Sequence, residues 1–480
     1  MRYDYRTLII GSGFGGLGMG AKLKAKGDDC FLVLEKAGSL GGTWRDNIYP
    51  GAECDVHSVL YSYSFFPNPD WAHKWAKQKE ILDYTQRFAE HFNLAPHIRC
   101  NTNVIAAKYE DGLWRVALES GGTLTCQFLI SAVGQLHHPK IPNFKGLKTF
   151  QKPVFHTAQW DSSVEIDGKN IAVIGNAASA VQLIPKLAAR AKQLTIYHRS
   201  ANWVLPKNDR RINTLEKFLA RHVPLFTKFN RFRAWCLGEY GLWPMIKGHK
   251  LAAALGEAAG KAYIRAHIKD ESLREILTPT YPIGAKRVLL TSEYLPAVAR
   301  ENVEVVEGGV KAFKADKIID INETERVHDA VIFATGFHSN PFLKSINITG
   351  SMGQSLSDKW QGSAHAYYGT MTANFPNFFI LYGPNTNTGH TSIIFKLEQQ
   401  IGYILKLMSA AGDGEIDIKT KAENDYNTEV QSRLATLAWS KIDDSWYKTG
   451  SRVTNNWMGS SREFKKRFTT PIWDDFKISR

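Results

Sequence analysis

The chain has few cysteines, and they lack the spacing in which cysteines usually act as ligands or cross-links. Five are scattered over 480 residues, an odd number, at positions 30, 54, 100, 126 and 236, with no CxxC pair. A disulfide framework and a zinc site are therefore not expected, and no metal is expected at the active site. Cysteine usage of this kind is typical of a reducing compartment, so we expect a cytoplasmic protein.

Long apolar runs are also missing. No stretch approaches the roughly 18 apolar residues of a membrane-spanning helix. The first residues, "MRYDYRTLIIGSG", enter a strand and a glycine turn without room for a signal peptide. Low-complexity tracts are absent too, and hydrophobic residues make up 44% of the chain and aromatic residues 12%. We therefore expect a soluble, globular protein of several domains that can enclose a bulky cofactor.

Acidic residues are outnumbered by basic ones, which gives a formal net charge of +14. The densest basic segment spans residues 207–235, "KNDRRINTLEKFLARHVPLFTKFNRFRAW", where Lys and Arg alternate with aromatic residues on predicted helices. Such a segment can be a solvated helical face, a contact with an anionic membrane surface, or a nucleic-acid patch. The first interpretation is favoured, a weak membrane contact stays open, and nucleic-acid binding is not expected because the clustering is only partial.

A dinucleotide-binding unit is predicted at the start of the chain. The apolar strand "RTLII" breaks into "GSGFGG" and a helical stretch, and the strand "CFLVLEK" follows. Gly11, Gly13 and Gly16 fit GxGxxG, in which the glycines form the turn, admit a pyrophosphate and let helix pack on strand. Glu35 ends the second strand, 24 residues after Gly11, where a carboxylate can bind ribose hydroxyls.

The same pattern recurs in a second unit, "NIAVIGNAASAVQLIPKLA" followed by "QLTIYHRS". Gly175 keeps the first glycine position, whereas Ala177 and Ala180 replace the second and third. Arg199 lies 24 residues after Gly175, at the offset that Glu35 has from Gly11. An acid there suits a ribose diol and an arginine suits a 2′-phosphate, so we expect FAD in the first unit and NADPH in the second. The alternative for Arg199 is a surface residue at a strand end.

Two further apolar strands with small-residue turns, "FLISAVG" and "DAVIFATGF", bracket the second unit. They predict an α/β fold of two dinucleotide-binding, Rossmann-like domains, with the NADPH domain inserted in the FAD domain and a helical subdomain attached. The predicted boundaries are 1–145 for the first part of the FAD domain, 146–327 for the NADPH domain with a helical insert at about 205–280, and 328–480 for the second part of the FAD domain and the C-terminal segment.

Two longer motifs carry a family resemblance. The segment "GGTWRDNIYPGAECD" offers aromatic surface at Trp44 and Tyr49 and a carboxylate at Asp55, and it resembles the [AG]GxWxxxx[FY]PGxxxD motif of class B flavin monooxygenases, specifically of Baeyer–Villiger monooxygenases. The stretch "FQKPVFHTAQWD" is similar to the FxGxxxHxxxW[PD] signature of that family, except that Lys152 stands where the family has glycine. The resemblance covers nearly the whole chain.

The resemblance implies roles for individual residues. Arg287 is expected to be catalytic, facing the flavin, with Asp55 orienting its guanidinium, and His156 and Trp160 are expected to couple the domains. The cofactor-binding residues are expected to be Gly11, Gly13, Gly16, Glu35, Gly42, Thr43, Trp44, Asp55, Gly175, Ser179, Gln182, Arg199, Ser200, Lys286 and Asn385.

The implied reaction uses NADPH, FAD and O2 to insert one oxygen atom beside a ketone carbonyl through a C4a-peroxyflavin, giving an ester or lactone. S- or N-oxygenation of a heteroatom substrate and an uncoupled NADPH oxidase remain alternatives, the latter because of Lys152 and Ala177. A non-catalytic, redox-sensing flavoprotein would not need Arg287 or Asp55, and the chain has both. The particular substrate and the oligomeric state do not follow from the sequence.

Overall fold

The computed structural model describes residues 3–338, 342–442 and 447–479. Its strands are β1 Tyr5–Ile10, β2 Phe31–Leu34, β3 Ile98–Arg99, β4 Val104–Glu110, β5 Leu113–Leu118, β6 Thr123–Ser131, β7 Val154–His156, β8 Asn170–Ile174, β9 Gln193–His198, β10 Val204–Leu205, β11 Leu289–Leu290, β12 Val303–Glu307, β13 Val310–Lys314, β14 Lys317–Asp320, β15 Glu325–Val327, β16 Ala330–Phe333, β17 Asn347–Thr349, β18 Phe378–Ile380, β19 Glu415–Ile418, β20 Lys448–Thr449, β21 Arg452–Val453 and β22 Phe476–Ser479.

The α-helices are α1 Phe14–Lys24, α2 Thr43–Asp46, α3 Gln78–His91, α4 Ala178–Ala188, α5 Thr214–His222, α6 Pro224–Cys236, α7 Trp243–Ile246, α8 Lys250–His267, α9 Glu271–Leu277, α10 Tyr294–Val298, α11 Leu356–Trp360, α12 Ile393–Ala411, α13 Thr420–Leu434 and α14 Ser461–Thr469. A π-helical segment, Leu237–Leu242, joins α6 to α7. Within the described residues, no helix combines the length and hydrophobicity needed to cross a membrane.

The first sheet combines strands from both ends of the chain. Its order is β17-β4-β5-β6-β1-β2-β3, and β18 also pairs with the last residues of β6. β1 is parallel to β2 and β6, whereas β5 is antiparallel to β4 and β6. Alternate side chains of β1 enter two different cores, Ile9 on the face covered by α1 and α12 and Leu8 and Ile10 on the other, as the two-residue period of a strand requires.

The second sheet is entirely parallel, with the order β12-β9-β8-β16-β7. Its central strand β8 also alternates between two cores, with Ile171 and Val173 on one face and Ala172 and Ile174 on the other. Both faces are covered, which explains why β8 reads as a continuous apolar run. The helices α5 to α9 lie between β10 and β11, in the region where a helical insert was predicted.

The stretch "DAVIFATGF", which begins at Asp329 just after the predicted domain boundary, lies in the second sheet. β16, which belongs to the stretch "DAVIFATGF", pairs with β8 and β7 in the second sheet, and the chain rejoins the first sheet only at β17. The stretch "FLISAVG" does belong to the first sheet, through β6. Both stretches are apolar strands followed by small residues, and that local pattern carries no information about which sheet each one joins.

Two linkers connect the sheet units, and they run side by side. Pro139 forms an antiparallel bridge with Phe337. The Lys140 amide donates to the Gly336 carbonyl at 2.9 Å, and the His338 amide donates to the His138 carbonyl at 2.8 Å. The connection between the two units is therefore a pair of hydrogen-bonded chains.

Candidate functional site

The first glycine loop has the geometry of a phosphate-binding turn. Gly11 has φ of 102°, and a Cβ there would lie 2.8 Å from the Ala132 carbonyl oxygen. A Cβ on Gly16 would lie 1.9 Å from the Gly11 carbonyl oxygen, so only glycine lets α1 approach its own turn this closely. A Cβ on Gly13, in contrast, would have nothing nearer than the Gly42 Cα at 3.8 Å. Gly13 thus faces open space at the N-terminus of α1, where an anionic ligand is favoured.

Glu35 lies buried at the end of β2 and is held by several donors. It accepts hydrogen bonds from the Ser12 amide at 3.0 Å, the Ser12 hydroxyl at 2.7 Å and the Ala37 amide at 3.0 Å, and it pairs with the Arg45 guanidinium at 3.0 Å. Burial alone would raise the pKa of Glu35, but these hydrogen bonds and the Arg45 charge lower it. Glu35 is therefore an anchored carboxylate. The sequence motif indicated Glu35 but neither Ser12 nor Arg45.

A cleft of about 230 Å³ extends from Glu35 past the glycine loop to a group of aromatic side chains. Gly42, Thr43 and Trp44 line it, as predicted for cofactor-binding residues, together with Tyr61 and Tyr382, which the motifs did not indicate. The Trp44 indole nitrogen donates to the Tyr61 hydroxyl at 3.0 Å. The cleft is lined by the buried acid Glu35, by the glycine turn and by aromatic side chains. This set of groups fits a dinucleotide that carries a flat ring.

The second glycine loop repeats the backbone of the first. Gly175 has φ of 114°, and a Cβ there would lie 2.4 Å from the Ala334 carbonyl oxygen. Ala177 precedes α4 with φ −82° and ψ −163°, close to the φ −79° and ψ −167° of Gly13 before α1. Ala180 is fully buried, so α4 tolerates a methyl group where α1 does not. The alanines therefore preserve the turn and change only its surface.

Polar and cationic side chains gather where β9 ends. The Asn176 amide nitrogen donates to the Ser200 carbonyl at 2.8 Å and contacts His198 Nδ1 at 2.8 Å. The Lys286 ammonium donates to the Ser200 hydroxyl at 3.1 Å. Arg199 and Ser200 are exposed at the same strand end. This arrangement brings the predicted residues Arg199, Ser200 and Lys286 together, and it adds Asn176, which the sequence did not indicate.

Gln182, predicted to bind a cofactor, connects the two units in the structure. Its amide oxygen accepts from the Tyr49 hydroxyl at 2.7 Å and from the Glu53 amide at 3.3 Å, and its amide nitrogen donates to the Glu53 carbonyl at 3.0 Å. Ser179, one turn earlier on α4, also lies within hydrogen-bonding reach of Tyr49. Both residues of α4 thus hold the loop 49–53 against the second unit, so a role in binding cofactor remains a prediction.

The same loop carries an ion pair between the units. The Arg287 Nε lies 2.6 Å from Asp55 Oδ2, and both side chains are only partly exposed, at 27% and 28%. Desolvation alone would lower the pKa of Arg287, but the Asp55 carboxylate outweighs it and raises that pKa. Lys207, buried nearby, pairs with Glu53 at 2.5 Å and donates to the Cys54 carbonyl at 3.2 Å. The predicted pair of Arg287 and Asp55 is therefore brought together, on a braced loop.

Arg287 lines a small cavity and lies near the large cleft. Tyr382 lines the large cleft and is within electrostatic range of Arg287. The small cavity, of about 10 Å³, is lined by Arg287 and Tyr447. The rest of its lining consists of Leu242, Met245, Ile246, Gly284, Lys286, Val288, Gly389 and Trp439, most of them apolar. A guanidinium in this place can act on a group held in the small cavity.

The predicted coupling residues lie in different places, His156 at the linker pair and Trp160 in the second unit. His156 is fully buried at the end of β7, and its ring packs edge-on against Phe337 at 5.6 Å, beside the bridge to Pro139. Trp160 packs edge-on against Phe155 at 5.2 Å within the core of the second unit. Lys152 is exposed and is not among the described residues with positive φ. The lysine β-carbon therefore causes no backbone strain at this position.

Asn385 is tied to the C-terminal segment and does not line the described cleft. Its side-chain nitrogen donates to the carbonyls of Val453 at 2.7 Å and Asn456 at 3.1 Å. Both amide hydrogens are thus used within the protein, and the structure gives no support to the predicted FAD contact. Across the described residues, no group of three His, Cys, Asp or Glu side chains is arranged to hold a metal ion.

The chain is similar to known proteins both in sequence and in structure. Residues 8–218 match the family described as pyridine nucleotide-disulphide oxidoreductase. A Baeyer-Villiger monooxygenase of Streptomyces coelicolor is 39% identical, covering 99% of this chain and 93% of the relative, and one of Pseudomonas aeruginosa is 38% identical, covering 96% and 89%. A solved structure of OTEMO in complex with FAD and NADP has a TM-score of 0.90 at 26% identity, covering 99% of this chain and 100% of that one.

Proposed function

Because this chain belongs to the Baeyer–Villiger monooxygenase family, we propose that it binds FAD in the 230 Å³ cleft and NADPH at the end of β9, and converts a ketone to an ester or lactone. The buried carboxylate of Glu35 supports FAD in the first site, since it suits an unphosphorylated ribose. The cationic groups at the end of β9, Arg199 and Lys286, support a 2′-phosphate in the second.

The bound FAD, once reduced by NADPH, supplies the activation of O2, and the protein positions and shields the reacting groups. Gly11, Gly13 and Gly16 would hold the pyrophosphate, and Trp44 with Tyr61 would border the flavin ring. Gly175, Ser200 and Lys286 would hold NADPH. The loop 49–55 links these two sites, because Gln182 holds it from one unit and Asp55 ends it beside Arg287.

The observation that carries the catalytic assignment is the 2.6 Å contact of Asp55 with Arg287, which lines the small cavity. A guanidinium stays protonated at any working pH, and the ion pair raises its pKa further. A fixed positive charge stabilises an oxygen atom that becomes negative during attack on a carbonyl. Asp55 holds the guanidinium in one orientation, so Arg287 acts on the reacting oxygen and Asp55 positions Arg287.

The small cavity supports an apolar ketone as the substrate class. Leu242, Met245, Ile246, Val288 and Trp439 surround the space beside Arg287. An apolar wall recognises the hydrocarbon part of a substrate, while Arg287 and Lys286 are the charged groups at its polar end. A volume of about 10 Å³ is too small for any ketone, so side chains such as Met245 have to move when a substrate enters.

We place the enzyme in the cytoplasm, with a small ketone and O2 as its partners beside the cofactors. The five free cysteines support this location, since none of these described residues forms a disulfide.

Replacement of Arg287 tests the assignment. In Arg287→Ala, FAD content and NADPH oxidation should remain near the parent values, whereas ester formation should fall at least about a hundredfold, because a stabilising charge in the transition state is lost. Each NADPH oxidised without ester formation should then be matched by one hydrogen peroxide formed from O2. A panel of linear, cyclic and aryl ketones with one thioether, read by product mass, measures this.

The control for that experiment is Arg210→Ala, which removes an exposed arginine paired with Glu216 far from both cavities in sequence. It should leave ester yield unchanged. Retained ester formation in Arg287→Ala would remove Arg287 from the mechanism, and thioether oxidation without any ester from the parent enzyme would favour heteroatom oxygenation as the reaction.

A further inference from the structure

The helical insert exposes an unusual amount of apolar surface. Ten of the nineteen large hydrophobic side chains exposed in the described residues lie between positions 215 and 255. Those of α5, α6 and the π-helical segment are Leu215, Phe218, Leu225, Phe229, Phe232, Leu237 and Tyr240, each at least 57% exposed; we call them the insert surface. Contiguous apolar surface on a soluble chain usually marks a contact with another molecule or with a membrane.

In α6 the apolar side chains form a stripe on the side away from the protein. At about 100° per residue, Leu225, Phe229 and Phe232 fall within a sector of about 60°. The opposite side of the helix carries Ala234, which is buried. From the same inner side, the Arg231 guanidinium donates to carbonyl oxygens of Val59 and Ser62. The orientation of α6 is thus fixed, with its apolar stripe toward solvent.

Basic residues border this stripe. Lys228 and Arg233 lie about 40° beyond its two edges, and both are exposed. The acidic residues of this segment are already occupied. Glu216 is paired with Arg210 at 2.6 Å, and Glu239 is buried and accepts from the amides of Ser461 and Arg462. An apolar stripe edged by cations is the pattern of a helix that lies in the surface of an anionic bilayer.

A second copy of this chain would fit the apolar stripe and its basic borders less well than an anionic lipid surface does. A two-fold contact would place the insert surface against itself and bring Lys228 and Arg233 toward the same cations of the partner. An anionic lipid surface accommodates both features, since it accepts the apolar side chains and neutralises the basic ones. Charge complementarity therefore favours lipid as the occupant.

We propose that the insert surface docks on an anionic lipid bilayer and that the enzyme oxidises a lipophilic ketone delivered from it. The second part rests on the proposed function. The π-helical segment Leu237–Leu242 connects the two, because Tyr240 belongs to the insert surface and Leu242 lines the small cavity beside Arg287. A docked insert would thus place the wall of the substrate cavity within one turn of the lipid-facing side chains.

Vesicle binding by the full-length holoenzyme tests the docking. Sedimentation with phosphatidylcholine vesicles containing about 30% phosphatidylglycerol should carry down the enzyme, and vesicles of pure phosphatidylcholine should bind at least about tenfold less. Phe229→Ser/Phe232→Ser and Lys228→Glu/Arg233→Glu should each lose at least about tenfold in binding to anionic vesicles. Met352→Ser and Lys465→Glu/Lys466→Glu, which change exposed residues outside the insert, should bind as the parent does.

Turnover separates the two proposals. For a water-soluble ketone without vesicles, all these variants should keep the parent ester yield, whereas for a long-chain ketone dissolved in anionic vesicles the insert variants should show at least about a tenfold higher KM. Ester formation without vesicle binding would overturn the docking alone, and vesicle binding without ester would overturn the proposed function alone. A dimer in solution that Phe229→Ser/Phe232→Ser dissociates, with no vesicle binding, would assign the insert surface to a second copy.

Discussion

The two glycine loops have similar backbone conformations. They differ in how they hold the residue that is predicted to bind the ribose of a dinucleotide. Both begin with a glycine of positive φ and continue through an extended residue into an eleven-residue helix. In the first loop the reading residue, Glu35, is 4% exposed and receives three hydrogen bonds and an ion pair. In the second loop the corresponding residue, Arg199, is exposed at the strand end.

This difference matches two modes of cofactor use. A ligand that must stay bound through every turnover benefits from a buried, pre-oriented site, because the ordering cost is met when the protein folds. A ligand that delivers electrons has to arrive and be exchanged, and an exposed cation at an open strand end favours rapid association. If FAD binds at the first loop and NADPH at the second, as proposed, burial would separate a resident FAD from an exchanging NADPH, although the turns themselves are alike.

The largest expected effect comes from exchanging the third position of the two motifs. Gly16→Ala places a β-carbon 1.9 Å from the Gly11 carbonyl oxygen, so α1 must move and the purified protein should contain little or no flavin. The reciprocal change Ala180→Gly, in α4, should cost about 1 kcal/mol of stability and leave the flavin in place. Flavin-to-protein absorbance ratios and thermal unfolding measure both. Full flavin content in Gly16→Ala would mean that the two turns are equally permissive.

A second test asks whether the exposed residue Arg199 distinguishes NADPH from NADH. Arg199→Ala should raise the KM for NADPH about 10- to 100-fold, the loss of one or two charge-assisted hydrogen bonds, and should change the KM for NADH far less. Flavin content should not change. Arg190→Ala, which removes an exposed arginine paired with Asp167, is the matched control. An equal rise for both nucleotides would show that Arg199 supports the loop and does not read the 2′-phosphate.

A third test concerns the second sheet apart from its ligand. His328 is 2% exposed, its Nε2 is 2.9 Å from the Tyr197 hydroxyl, and burial with the nearby Arg326 charge lowers its pKa from the ordinary value of 6.5 to about 4. The folded protein disfavours the protonated form of His328. The contribution of this residue to the free energy of unfolding is therefore complete above about pH 6.5 and is lost as the pH falls toward 4.

The loss amounts to about 3 kcal/mol. His328→Gln should therefore flatten the decline in thermal stability between pH 6.5 and 4, whereas His91→Gln, at an exposed histidine, should not. A parent protein whose unfolding temperature does not change over this interval would contradict the assignment.

Local patterns predicted much of the fold. The strand, turn, helix and strand of each unit, and the acid and base at equal offsets, follow from contacts between residues close in the sequence, and the structure contains them. β16 could not be assigned in this way, because its neighbours β7 and β8 lie more than 150 residues earlier in the chain. The apolar composition of a strand predicts that the strand is buried, but it does not predict which sheet the strand joins.

The sequence predicted the parts of the site in which a motif specifies the backbone conformation. It predicted less well the hydrogen-bond partners of individual polar side chains. Arg287 and Asp55 meet as expected. Gln182 and Asn385 bond to distant loops instead of lining the described cleft, and Lys207 braces Glu53 from the other unit. An amide or an ammonium group can satisfy many partners, and only the assembled fold decides which one is near.

The paired linkers determine how the units can move. A single connecting chain would let one unit twist as well as bend relative to the other. Two chains joined by the hydrogen bonds of Lys140 and His338 resist torsion and leave bending across the pair as the soft direction. Any motion of one unit relative to the other should therefore be mainly a bend across this pair of chains, and it would move Arg287 relative to Asp55 along a single path.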